Sequence, residues 1–209
     1  MSAPSERILR QACEALSQCD AALAQAYAEV DLPTWRETEA NYRTLARIVV
    51  YQLISTKAAD AIWARGEARY AACTVRNVLD DDHDALRACG LSRPKLGHLL
   101  AIADAVETYI LDLDQLANTP IEQARKTLLS VRGIGPWTAE TFLMNALGHL
   151  NAFPHGDVGL MESYKRLSGA EARLSAKDFS KQAAIWQPYR AVAAHLLYDW
   201  LHLDRARTL

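Results

Sequence analysis

Apolar residues recur at spacings of three and four along nearly the whole chain, and no run alternates apolar with polar between hairpin dipeptides. The pattern predicts an all-α protein. Residues 5–30 read as one Ala-rich amphipathic stretch, followed by helices over 41–52, 55–70, 83–89 (closed by Gly90) and 92–110. Thr119-Pro120, with Glu122 following, reads as a cap and proline start for a helix running to about Val131. Pro136 opens the next helix and Gly148 closes it, a shorter one covers 175–184, and Asp157 and Pro188 begin the last large segments. The stretch around Asp31-Leu-Pro is the expected internal joint. Repeats, low-complexity tracts and long linkers are absent from the sequence.

At 209 residues, half of them apolar, the chain can bury one sizeable core or two small lobes. The start MSAPSERILRQACEAL lacks a basic region followed by an apolar run, and no stretch of eighteen apolar residues occurs, so an intracellular, soluble protein without a membrane span is expected, as a monomer. Cys13, Cys19, Cys73 and Cys89 have no CxxC spacing and read as isolated thiols rather than a zinc site or disulfide framework. The net charge of −2 is not that of a typical nucleic-acid binder. Residues 120–190, however, carry nine basic against six acidic residues, which permits a local positive face.

Between the helices ending near Val131 and starting at Pro136 lie only Arg132, Gly133, Ile134 and Gly135. So short a reversal needs backbone angles that glycine tolerates. Glycines also leave amides uncovered, and the helix start behind them adds a partial positive charge, so the turn suits an anion such as a phosphate. Taken alone, the two glycines fit an ordinary αα-hairpin better, since such turns are common in helical proteins. Asp157, before VGLMESYKRL, taken alone reads as a helix cap.

The longer stretch LLSVRGIGPWTAETFLMNALG resembles the helix-hairpin-helix of the HhH-GPD superfamily of DNA repair glycosylases, and NAFPHGDVGL resembles its Gly/Pro-rich loop and aspartate. VVYQLISTKAADAIW, GLSRPKLGHLLAIADAV and IWQPYRAVAAHLLYDWL look like further segments of the 3-methyladenine DNA glycosylase II (AlkA-like) branch, so the resemblance covers roughly residues 41–201. It implies a two-lobed helical fold with a central cleft: residues 41–150 as one lobe, holding the helix-hairpin-helix at 119–148, and residues 1–40 with 157–209 as the other. The implied partner is double-stranded DNA containing damaged bases. The implied activity is removal of flipped-out alkylated purines such as 3-methyladenine and 7-methylguanine. Alternatives are a glycosylase acting mainly on another damaged or deaminated base and a non-catalytic helix-hairpin-helix module.

Carried over by resemblance, Asp157 is the catalytic aspartate, and the amides of Gly133, Gly135 and Thr138 face a phosphate, with Arg132 adding a contact or merely solvating the turn. The carbonyls of Leu129, Val131 and Ile134 match positions that hold a structural Na+ or K+ in the family; no other cofactor is implied. Trp137 stands where members that also cleave the backbone carry lysine, which implies a monofunctional enzyme with this ring stacked on the target base; by pattern alone it is equally a core residue. Thr141 replaces an aromatic of the base pocket, and Leu197 replaces a pocket tryptophan. Leu53 sits where the branch inserts an apolar wedge, flanked by Gln52 and Ser55 towards the DNA; its apolar neighbours also fit plain core. His155 reads as a surface loop residue and the WQPYR run as packing. The cysteine cluster of the related iron–sulfur branch does not appear before the end DWLHLDRARTL, so no cluster is expected.

Overall fold

The computed structural model describes residues 3–70 and 75–208; Cys73 lies outside them. The described residues form helices and no strand. In chain order the helices are α1 (Glu6–Cys19), α2 (Ala21–Val30), α3 (Tyr42–Tyr51), α4 (Thr56–Tyr70), α5 (Val75–Asp80), α6 (His83–Ala88), α7 (Arg93–Glu107), α8 (Leu113–Leu116), α9 (Ile121–Ser130), α10 (Pro136–Asn145), α11 (Val158–Ser168), α12 (Ala176–Gln182) and α13 (Arg190–Thr208), with a 3₁₀ turn at Ala183–Trp186. They form two compact units: Thr38–Leu147, and Met1–Glu37 with Gly148–Leu209.

In the discontinuous unit, the stretch expected to be continuous over 5–30 breaks at Asp20, whose backbone is extended (φ −148°, ψ 116°). The break has a physical cause. Asp20 is buried, and its carboxylate caps α2 through the Ala22 amide (2.9 Å) while accepting from Trp186 Nε1 (2.9 Å), Gln182 Nε2 (3.0 Å) and the Tyr164 hydroxyl (3.2 Å). A helical Asp20 could not cap α2 while serving the other three donors. Trp186 is itself fully buried against Phe153, Tyr164 and Phe179, with ring centroids 5.4–5.7 Å away, so within the WQPYR run Trp186 is packing, while Gln187 and Pro188 are exposed. Leu197 is also fully buried, on the core side of α13.

In the continuous unit, Asn41 caps α3 by accepting from the Thr44 amide (2.9 Å). Leu45, Val49, Leu99, Ile102, Leu128, Phe142 and Leu143 form its core. Helices α5 and α8, six and four residues long, were not expected: neither is long enough to show a 3.6-residue period, and neither has a closing glycine such as the Gly90 that marks the equally short α6. The helix expected to run on to residue 110 ends at Glu107: Tyr109 turns left-handed (φ 57°) and the Leu111 amide returns to the Ala105 carbonyl (2.8 Å). The predicted Thr119 cap is replaced by a different arrangement. Pro120 occupies the cap position of α9 without a side-chain bond, and the Thr119 hydroxyl instead donates to the Gln115 carbonyl (2.9 Å), finishing α8.

Between α9 and α10 the chain reverses at Gly133 (φ 95°). A Cβ there would lie 2.5 Å from His98 Cβ and 2.9 Å from His98 Cα on α7. Glycine is required twice, for its dihedral angle and for the space.

Two stability predictions follow from these contacts. Gly133→Ala should cost about 2–4 kcal/mol, combining a left-handed alanine with overpacking against helix backbone, measured as a fall in the urea midpoint at unchanged slope. Asp20→Ala strands the buried Trp186 donor and the half-buried Tyr164 and Gln182 donors, and should cost about 3 kcal/mol or more; a loss under 1 kcal/mol would show that the hub does not hold the unit together.

Candidate active site

The hairpin presents donors with little covering them. Gly135 is the cap residue of α10, makes no side-chain cap bond and is followed by Pro136 at the first helical position. The amides of the first turn, Thr138 among them, therefore meet no capping side chain, and the helix start concentrates partial positive charge there. A Cβ built on Gly135 finds nothing within 4 Å, so the approach to these donors is open. Ile134 is buried and pins the turn, its amide donating to the Val131 carbonyl (3.1 Å), while Arg132 is exposed. The carbonyls of Leu129, Val131 and Ile134 lie at the end of α9 and in the turn, where partial negative charge collects; that suits a monovalent cation, although Val131's already accepts one amide. Among the described residues no group of three or more His, Cys, Asp or Glu is placed to hold a metal.

The α3–α4 turn lies in the same unit. Leu53 is fully exposed, with a left-handed backbone (φ 57°), which rules out the core reading, and Ile54 beside it is partly exposed. Gln52 points back into the protein: its amide nitrogen donates to Thr138 Oγ1 (2.7 Å) and to the Gly133 carbonyl (3.4 Å). Ser55 caps α4, its hydroxyl accepting from the Ala58 amide (3.3 Å). Trp137, the second residue of α10, is half-buried. Thr141 sits one turn later and donates its hydroxyl to the Trp137 carbonyl (2.7 Å).

In the other unit Asp157 caps α11, its Oδ1 accepting from the Leu160 amide (3.0 Å), so the cap expectation holds. The carboxylate is half-buried, and the Tyr198 phenol on α13 lies beside it, close enough for the two to interact electrostatically. Gly159 leaves room for both: a Cβ there would stand 3.1 Å from Asp157 Oδ1 and 3.7 Å from the Tyr198 ring. Burial, and then the Asp157 charge, hold the Tyr198 phenol well above its ordinary pKa, so it stays protonated and a donor. Arg36 lies over the Tyr198 ring, 5.4 Å from its centroid, and is anchored by an ion pair to Asp199, which also accepts from the Thr34 amide (2.6 Å). Arg36 Nη1 is 3.3 Å from Nδ1 of buried His195, whose ring packs on Trp35 at 4.3 Å. Burial, then the Arg36 charge, push the His195 pKa down to about 3. His155 is half-buried, in a turn closed by its amide on the Phe153 carbonyl (2.9 Å).

Tyr198 beside Asp157, and Arg36 over the Tyr198 ring, are not marked in the sequence. They lie about 40 and 120 residues from Asp157 along the chain, and no spacing rule connects them to it. The chemistry of the arrangement is clear: a carboxylate held in direction by a helix amide is poised to face positive charge rather than to swing freely.

The pattern of the HhH-GPD superfamily, base excision DNA repair proteins, matches residues 46–188. DNA-3-methyladenine glycosylase 1 of Schizosaccharomyces pombe is 28% identical over 169 residues, covering 78% of this chain and 73% of that protein. The putative DNA-3-methyladenine glycosylase YfjP of Bacillus subtilis is 30% identical over 127 residues, covering 61% of this chain and 44% of YfjP, so the chain spans less than half of that relative's length. Among solved structures, S. pombe 3-methyladenine DNA glycosylase (Mag1) in complex with abasic DNA superimposes with a TM-score of 0.83 at 27% identity, covering 90% of this chain and 95% of that one. A DNA-3-methyladenine glycosidase from Bacillus halodurans gives a TM-score of 0.75 at 27% identity, covering 99% and 94%. With the hairpin and the capped aspartate both inside the matched span, the chain belongs to the HhH-GPD superfamily, in its 3-methyladenine DNA glycosylase branch.

Proposed function

We propose that this protein is a monofunctional DNA glycosylase that extrudes alkylated purines, 3-methyladenine and 7-methylguanine among them, from duplex DNA and hydrolyses their bond to the sugar. The observation that carries the reading is Asp157, its carboxylate directed by the Leu160 amide with the Tyr198 phenol beside it. As the base departs, positive charge grows on the sugar ring, and a fixed carboxylate stabilises it and orients the attacking water. The open amides of Gly135 and Thr138, with Gly133 and exposed Arg132, take a backbone phosphate without reading sequence. A Na+ or K+ on the carbonyls of Leu129, Val131 and Ile134 would lend that phosphate further positive charge.

Leu53, exposed on a constrained turn, suits the wedge that fills the gap left by an extruded base and offsets part of the unstacking cost. Trp137 stacks on the base; a cationic methylated purine gains about 2 kcal/mol of cation–π attraction on a desolvated indole. Because tryptophan cannot attack the sugar as an amine does, no lyase step is assigned. Thr141 neighbours Trp137 with its hydroxyl committed to the backbone, which leaves a smaller, less aromatic wall than a second ring would give. No helix among the described residues is long and apolar enough to cross a membrane. Action on DNA as a monomer inside the cell fits this reading.

The test is incubation with methylated duplex DNA followed by comparison of strand breaks with and without hot alkali. Breaks only after alkali are expected. Breaks without alkali would assign a lyase activity, and binding without base release would make the chain a DNA-holding module. Asp157→Asn keeps the size and the capping oxygen but removes the charge, so melting and DNA binding should persist while single-turnover base release falls by on the order of 10²–10³. Full activity of the folded variant would leave Asp157 a helix cap alone. Trp137→Ala should weaken action on lesion DNA by about 1–3 kcal/mol, the worth of one stacking aromatic; an unfolded variant would instead show that the ring is core.

A further inference from the structure

Gln52 precedes Leu53 in the exposed α3–α4 turn, and its side chain reaches residues that are more than eighty positions away along the chain. The amide nitrogen donates to Thr138 Oγ1 at 2.7 Å and to the Gly133 carbonyl at 3.4 Å. Those are two of the residues whose backbone amides are assigned to the phosphate. The hairpin side of the tie is rigid: Gly133 is packed against His98, and Thr138 is buried in the first turn of α10. The far side is not. Leu53 has no burial to hold it, and its left-handed backbone is one that an L residue disfavours. Something besides packing must fix its direction.

Two polar anchors lie at the base of the turn. The Lys95 ammonium donates to the Val50 carbonyl (2.6 Å), near the end of α3, and the Gln52 amide closes on the Val49 carbonyl (3.3 Å). Lys95 is half-buried, and desolvation lowers its pKa. These bonds finish the helix; the Gln52 side chain is the one that aims the turn beyond it at a particular place on the hairpin.

We propose that Gln52 is a positioning residue that couples phosphate binding to base extrusion: by tying the Leu53 turn to Gly133 and Thr138, it sets the wedge at a fixed offset from the phosphate that the hairpin holds. Engaging the backbone then places the wedge, with no further ordering of the turn required. Gln52 thereby acts through Leu53 and the hairpin rather than by touching DNA, a different role from the DNA contact expected from its place beside the wedge. The inference rests on the wedge and phosphate roles proposed above.

The test measures single-turnover base release from methylated duplex DNA and from the same DNA as separated strands, together with duplex affinity and thermal melting. Gln52→Ala should slow release from duplex about tenfold, the factor for one lost hydrogen bond, with a smaller loss on single strands, where extrusion demands little work. The rate should fall by more than the affinity. Thr138→Val removes the acceptor hydroxyl at the other end while keeping the shape, and should reproduce the duplex-selective loss. In the Gln52→Ala background, Leu53→Ala should add little, because an unaimed wedge is already ineffective. Equal losses on both substrates, or losses from the Gln52 and Leu53 variants that multiply, would overturn the coupling. Wild-type and Leu53→Ala proteins that release bases equally well from duplex would instead refute the wedge itself, and the coupling with it.

Discussion

The approach of Gly133 to His98 on α7 is the constraint on which the continuous unit's chemistry depends. With no side chain between the turn and the helix, the reversal from α9 to α10 is held against backbone, and its amides cannot drift as a loop's would. The same close packing fixes the start of α10, where Gly135 provides a cap position that has no side chain to compete for the donors. Gln52 then extends that rigidity to the neighbouring turn. A small steric fact at one residue therefore orders a turn with uncovered donors, and through a side chain it reaches an exposed leucine.

Two aspartates cap helices in the discontinuous unit, and their surroundings give them different capacities. Asp20 is buried under four donors that share its two oxygens, which exhausts the usual acceptor capacity of a carboxylate. It stabilises the unit. Asp157 is half-buried, held by the Leu160 amide and set beside the Tyr198 phenol, a setting that orders the group without sealing it from a substrate. The strap through Trp35 and Arg36 is tied to Asp199, with Trp35 against His195 and Arg36 over the Tyr198 ring.

The overall negative charge does not conflict with DNA as the partner. Many arginines are already committed, among them Arg43 to Glu67, Arg69 to Asp81, Arg76 to Glu107 and Arg166 to Asp204. Recognition by backbone amides and a helix dipole needs no surplus of side-chain charge. A protein that binds phosphate this way shows little of its affinity in its composition.

The sequence by itself determined whatever rests on neighbours along the chain. The 3.6-residue period gave the long helices, the glycines around Ile134 gave the reversal, Asn41 and Asp157 gave caps, and the combined motifs gave the family. Where local signals failed, a distant partner outweighed them or the element was too short to carry a period. Residues 5–30 look continuous because nothing nearby reveals that Trp186, Gln182 and Tyr164 will converge on Asp20. Leu53 could not be separated from its apolar neighbours until the fold left it outside, and nothing local showed that the Gln52 side chain would reach Thr138 and Gly133. Tyr198 carries no mark of its link to Asp157 either, since the helices that bring them together are more than twenty residues apart in the chain. Periodicity and turn chemistry act over a few residues and are written locally, whereas hydrogen bonds between helices depend on which faces meet, and only the packed tertiary structure decides that.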